Sequence, residues 1–339
     1  MHSPEIAEEN EVLRALRLGR KDISLGIEKE INGLHELNPV KRGLEIGTLL
    51  TLYGTGVFLL TYPGGILPLS VCGIVCMGLA FNMLGILIHE GLHGLLAKRP
   101  WLNHCMSFLA GIPILASPTA YQVTHANHHF ELGRKLDYGT YRQHFRKTAF
   151  VWIAYFAQLF LGTFLYILLI PPLAFRTASV RSRLVILAEY CVLLTIAVFL
   201  FMALRAETLL LYWFYPLVVC SFLTNVRGLA SHALGDVENL YLSTRTVKSS
   251  KLVSWLFMHE NYHLEHHVFP SAPSYNLGKI HELIWDRLPE GLYSRSYSGF
   301  LFGFLRAAFR NDLTPLGSVR NGHEESLPSV TEGNSSPTR

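Results

Sequence analysis

Residues 67–93 read LPLSVCGIVCMGLAFNMLGILIHEGLH. From Leu67 to Ile88 there is no Asp, Glu, Lys or Arg. At about 1.5 Å per residue, a helix of this length crosses a hydrocarbon layer about 30 Å thick. The run ends directly in His89-Glu-Gly-Leu-His93, so two imidazoles sit at the mouth of a membrane helix. Upstream, Ile46 to Tyr62 forms a second apolar run, joined to the first by the tight turn YPGGILP. The two predict a helical hairpin that leaves and returns.

Downstream, Met106 to Ala120 is short and carries Pro113 and Pro118, so it predicts an interfacial or re-entrant element. Three further runs follow: Phe150 to Leu173, Leu184 to Leu204 and Leu209 to Val226. Histidine motifs lie before and after these three. If the motifs build one site, an even number of crossings must separate them. Phe150 to Leu173 is expected to lie in the membrane plane. It ends at Pro171-Pro172 and is flanked by Arg142, Arg146 and Lys147 on one side and Arg176, Arg181 and Arg183 on the other. An in-plane helix keeps all six cations on one face. The expected fold is therefore all-α and integral to a membrane. About four transmembrane helices, plus in-plane helices, carry a cytosolic cap with a histidine-rich site.

Composition agrees. Of 339 residues, 50% are hydrophobic and 16% charged, against the roughly 25% charged of a soluble domain. Five cysteines, mostly in apolar runs, make no disulfide framework. A net charge of +4, spread thinly, gives nucleic-acid binding no support. The polar stretch 1–43 lacks the pattern of a secretory signal and reads as a cytosolic segment. Residues 44–318 form the membrane domain. Residues 319–339, rich in Ser, Gly, Pro and Glu, are expected to be a disordered tail.

Sixteen histidines are unusual, and they cluster. After His89 and His93 come HANHH, with His125, His128 and His129, and HLEHH, with His263, His266 and His267. A lone His232 follows the last run. On a helix, positions i and i+3 or i+4 share a face, so HxxxH presents two imidazoles together. HxxHH presents two on one face and a neighbour turned aside. With 16 histidines in 339 residues, roughly 0.03 chance matches to HxxHH are expected, and two occur. Neutral imidazoles suit iron, zinc or copper. Eight clustered histidines exceed the three or four ligands of a zinc site. His2, His35, His104, His144, His259, His281 and His323 are read as polar residues with ordinary partners. A metal-bound His usually donates its other N–H to a carboxylate or carbonyl, and Glu90, Glu265, Asp137 and Asp236 are the candidates.

At these residues, from about Leu84 to Pro273, the chain resembles the membrane fatty acid desaturase superfamily. That superfamily carries boxes HxxxH, HxxHH and HxxHH with an extra His after the last span. His89, His93, His125, His128, His129, His263, His266 and His267 match the boxes, His232 matches the extra position, and EHHVFP is typical of the third box. The resemblance implies a cytosol-facing non-haem di-iron centre with these nine His as ligands. It also implies activation of O₂, an external electron donor (a ferredoxin or b-type cytochrome) and a lipid acyl substrate. The extra His is often preceded by Glu, and here Ser231 stands there. Tyr62-Pro63-Gly64-Gly65 lacks the His of a fused haem motif. HxxxH rather than HxxxxH in the first box points away from the acyl-CoA branch.

The first expectation is a fatty acid desaturase acting on an acyl lipid. The second is a lipid or carotenoid hydroxylase or ketolase of the same superfamily. A metal-binding membrane protein or transporter is the third. It is disfavoured because the spans carry almost no charge apart from Glu189. The membrane expected is the cytoplasmic one in a bacterium or the endoplasmic reticulum in a eukaryote.

Overall fold

The computed structural model of the chain describes residues 19–130, 137, 141–236, 239–321 and 324–326. Helices dominate: α1 (Glu28–Leu34), α2 (Pro39–Thr61), α3 (Leu67–Leu92), α4 (Pro100–Gly111), α5 (Pro118–Phe130), α6 (Thr148–Thr177) and α7 (Val180–Ala203). Then comes α8 (Ala206–His232), which passes through a π-helical segment at Leu210–Phe214. The cap holds α9 (Lys251–Leu256), α10 (His263–Val268), α11 (Ser274–Ile284) and α12 (Tyr297–Phe309).

Helix α2 starts earlier than its apolar run because Asn38 caps it. The Asn38 side chain accepts from Val40 N and Lys41 N, both at 3.0 Å, and Pro39 fills the first position, where no donor is needed. Arg42, in the polar stretch before the first apolar run, is buried and paired with Glu45 and with Glu90 of α3. The α2–α3 hairpin packs backbone to backbone at Gly56 and Gly73. A Cβ at Gly73 would stand 2.8 Å from the Gly56 carbonyl. Small residues allow that approach between membrane helices. Met106 to Ala120 is broken, as expected. Helix α4 ends at Gly111, a 3₁₀ turn covers Ile112–Ile114, Leu115 adopts φ +54, and α5 starts at Pro118.

Among the described residues, five helices are long and apolar enough to cross a membrane, where the sequence reading counts four. The additional one is α6. Pro171 and Pro172 lie inside it rather than ending it, as apolar surroundings allow. Yet α6 touches the histidine-bearing elements near both of its ends. Near its start, the Tyr155 hydroxyl accepts from Leu234 N, two residues past His232. At its end, the Thr177 hydroxyl accepts from Asn127 Nδ2, beside His128.

The cap adds what apolar periodicity does not reveal, a four-stranded sheet in the order β1 (Thr246–Val247), β2 (Glu290–Ser294), β3 (Ser318–Asn321) and β4 (Glu324–Ser326). The β1–β2 pair is parallel and the other two pairs are antiparallel. Strands β3 and β4 fall almost wholly in the stretch assigned to a disordered tail. Pairing with β2, and Arg320 bound to the Trp285 carbonyl and to Asp286 at 3.1 Å, order them. Residues 327–339, like 1–18, lie outside the described residues.

Gly91 of HEGLH shows how closely α3 and α4 approach. A Cβ there would fall on the Ser107 hydroxyl and within 3.0 Å of the Ser107 Cβ. Gly91→Ala is expected to cost about 1–3 kcal/mol through overpacking. Thermal unfolding in detergent measures it. Ser107→Ala in the same chain should recover part of the loss by removing the nearest atom.

Candidate metal centre

Four separate elements deliver the nine histidines. His89 and His93 come from the C-terminal end of α3, and His125, His128 and His129 from α5. His232 closes α8, and His263, His266 and His267 lie on the six-residue α10. So short a helix needs outside support. Thr246 Oγ1 donates to Glu265 at 2.6 Å, and an isolated bridge joins Thr246 to Tyr262 at the helix start. Before it, Met258 and His259 take left-handed φ values of +46 and +61. Two consecutive non-glycine residues in that region store strain, which persists only where the surroundings hold it. Here Ser254 Oγ holds His259 Nδ1 at 3.1 Å and donates to Asn261 at 2.8 Å. The turn aims Glu260 inward.

The nine rings form two groups: His89, His93, His125, His129 and His266; and His128, His232, His263 and His267. The two HxxHH boxes are wired in opposite senses. From the second box, His125 and His129 join the first group and His128 the other. From the third, His263 and His267 join the second group and His266 the other. Within the groups, Nε2 atoms converge: His93–His125 3.0 Å, His125–His129 3.0 Å, His129–His266 3.2 Å, His232–His263 2.8 Å and His263–His267 3.2 Å.

These residues fit a pair of metal ions. Imidazoles have too few N–H groups to satisfy so many converging ring nitrogens. His89 Nε2 is buried with no hydrogen-bond partner among the described residues. At metal–nitrogen bonds of about 2.1 Å, ligands at a right angle stand about 3.0 Å apart and tetrahedral ones about 3.4 Å. The 2.8 and 3.0 Å spacings lie nearer the first and the 3.2 Å spacings fall between the two, while five histidines in one group exceed a tetrahedral set.

Carboxylates orient the rings. Asp137 Oδ1 takes His128 Nδ1 at 2.9 Å, and its own carbonyl takes His144 Nε2 at 3.2 Å. Glu260, fully buried, lies 3.2 Å from His89 Nδ1 and 3.4 Å from His263 Nδ1, with Arg227 at 3.5 Å. One carboxylate thus lies beside a histidine of each group. Glu260 was not among the residues singled out from sequence; its only local signal is the i, i+3 spacing to His263. Of those that were, Asp137 takes the role expected. Glu90 instead binds Arg42 and Ser274 N, and Glu265 binds Thr246 and His281. Asp236, just past α8, donates its backbone N–H to the Leu242 carbonyl at 2.9 Å. Several histidines set aside as ordinary have ordinary partners: His35 the Ile31 carbonyl, His104 Glu189, His144 Asp137, His259 Ser254 and His281 Glu265. His2 and His323 lie outside the described residues.

Asp137→Asn is expected to lower metal affinity by about 10–100-fold, because the amide no longer favours the same His128 tautomer. Competition with a chelator measures it.

Burial disfavours the charged form of His93, His125, His129, His263, His266 and His267. It pushes His93 down to about 3 and His263 to about 4, the latter against the pull of Glu260. Burial alone would raise the Glu260 carboxyl, but His89 and His263 hold it well below the usual range. The unfolded chain takes up these protons near pH 6.5, about the ordinary value for His. The folded metal-free chain resists until about pH 4 and below. Its stability therefore falls as pH drops below about 6.5. The melting temperature of metal-free protein, scanned from pH 7 to pH 4, is expected to fall continuously.

Two comparisons with known proteins agree with this architecture. The family model described as "Fatty acid desaturase" matches residues 64–299, from the α2–α3 turn into α12. A curated relative named "Ceramide hydroxylase", from Caulobacter vibrioides (strain NA1000 / CB15N), is 26% identical over 309 residues, covering 76% of this chain and 87% of the relative. The chain belongs to the fatty acid desaturase family, whose members are membrane oxidoreductases acting on lipids.

Proposed function

We propose that the chain is an O₂-dependent di-iron enzyme that oxidises an unactivated C–H bond in the acyl chain of a membrane lipid. The observation that carries this is the convergence of nine nitrogen donors, with no carboxylate inside either group, at the ends of apolar helices. His89, His93, His125, His129 and His266 would hold one iron, and His128, His232, His263 and His267 the other. A pair of irons supplies the reduction of O₂ and the removal of hydrogen from the substrate carbon. The protein's part is to orient these rings and exclude water. Asp137 and Glu260 orient, and burial does the rest.

Reduction of O₂ takes four electrons, of which the substrate supplies two whether it is desaturated or hydroxylated. The other two come from an external carrier, a ferredoxin or b-type cytochrome. The cytosol is the proposed side of the site. Lys98, Arg99, Arg142, Arg146, Lys147, Arg176, Arg181 and Arg183 are exposed next to helix ends on the histidine side, whereas the α2–α3 turn carries no charge.

Desaturation is the reading the histidine boxes lead with. Hydroxylation is favoured by the similarity to a protein named "Ceramide hydroxylase". Iron analysis with Mössbauer spectroscopy on purified protein tests the centre, with two coupled irons per chain expected. Zinc alone after growth in ample iron overturns it. Lipid mass spectrometry of an expressing host separates the chemistries: loss of two hydrogens means desaturation, and gain of one oxygen means hydroxylation.

A further inference from the structure

Helix α12 (Tyr297–Phe309) lies in the cap, beyond the last long apolar run, yet its surface is not that of a helix in water. Phe300 and Phe304, four residues apart, are 2% and 0% exposed. Phe304 packs on Trp152 at 5.4 Å and Phe156 at 5.7 Å of α6, ring centre to ring centre. A helix with that face buried and the other in water carries polar residues on the opposite side. Here the opposite side holds Phe302, Leu305 and Phe309, spaced i, i+3, i+7 and 71%, 42% and 93% exposed. The flank between the two apolar faces carries Arg306 and Arg310, both exposed.

The outer stripe continues a lipid-facing surface. Phe156, under Phe304, stacks on Phe160, which is 65% exposed on α6 together with Ile153 and Leu161. Alongside such a helix, exposed Phe, Leu and Phe find hydrocarbon, and two Arg at the edge suit anionic headgroups.

We propose that α12 lies in the membrane interface, with Phe302, Leu305 and Phe309 among lipid acyl chains and Arg306 and Arg310 at the headgroups. This does not depend on the metal or the reaction. It seats the cap on the membrane close to the site. Phe300 of the same helix lies under the Arg245 guanidinium at 4.9 Å, and Arg245 binds carbonyls at the end of α8, next to His232.

The test uses the full chain in phospholipid nanodiscs, with the photo-crosslinker p-benzoylphenylalanine in place of Phe302 or Phe309. Phe199, exposed on the span α7, is the lipid-facing control, and Lys279 on α11 the water-facing one. Mass spectrometry after irradiation is expected to find phospholipid adducts at 302 and 309. Their yield should approach that at 199 and exceed that at 279 by about tenfold or more. Adducts joining two protein chains would mean that a second copy covers the stripe, and yields no higher than at 279 would mean that it faces water. Either overturns the proposal. Because both positions are exposed, the label removes no core contact. The lipid adduct at 199 verifies that each preparation is inserted.

Discussion

His266→Ala should reduce product formation by more than about 100-fold, beyond the 10–100-fold typical of residues that merely support a ligand. His266 is fully buried, and it is the one ring that α10 contributes to the five-histidine group. Its Nε2 stands 3.2 Å from that of His129, and its Nδ1 has no hydrogen-bond partner among the described residues. Removing it therefore strips a metal donor without orphaning another polar group. The metal-free fold should survive with a modest loss for the vacated volume, and membrane insertion should be unchanged. Metal analysis should find the four-histidine group still loaded and the five-histidine group depleted. Full activity in His266→Ala would refute the ligand assignment outright. Loss of insertion along with activity would make the residue structural.

Arg245→Met is expected to act on stability, by about 4 kcal/mol. Arg245 is fully buried among the described residues, without a carboxylate partner. Its guanidinium donates instead to the carbonyls of Ala230 (2.8 Å), Ala233 (2.7 Å), Leu234 (3.1 Å) and Leu316 (2.8 Å). The first three belong to the last turn of α8 and the residues just after it, so the cation also sits at the negative end of the helix dipole. Complete burial lowers its pKa to about 9, which leaves it charged at neutral pH. Methionine keeps much of the volume but leaves several buried carbonyls without donors, at about 1–3 kcal/mol each before relaxation. The end of α8 should then fray, and His232 should lose its place in the four-histidine group. Thermal unfolding together with metal stoichiometry checks this. A variant as stable as the parent, with the parent's metal content, would show that the carbonyls find other donors.

The histidine clusters were legible because helical neighbourhood is local. HxxxH and HxxHH announce shared faces within one turn, and a ring at the end of an apolar run must lie near a membrane mouth. Glu260 was not legible, although it lies inside the third box's own segment. Its partner His89 belongs to another helix, and a left-handed turn at Met258 and His259 aims it. Arg245 sits in an ordinary-looking STRTV stretch, and nothing nearby marks it as buried. Helix α6 was hard to judge because apolar length looks the same for a crossing helix and for one whose two ends return to the same side. Tyr155 and Thr177 both contact elements that carry the histidines, a pairing that joins residues far apart in the chain. The strands β3 and β4 escaped notice because short polar strands carry no apolar periodicity, and only pairing with β2 defines them.

By itself the sequence determined the membrane class, the helical hairpin of α2 and α3, and the nine imidazoles, since each rests on composition or on spacing within a helical turn. The tertiary structure decided which rings share a group, which carboxylates hold them, and what caps α8. Those pairings join residues far apart in the chain, and the packing of helices through Gly56, Gly73 and Gly91 and the burial of Arg245 and Glu260 select them.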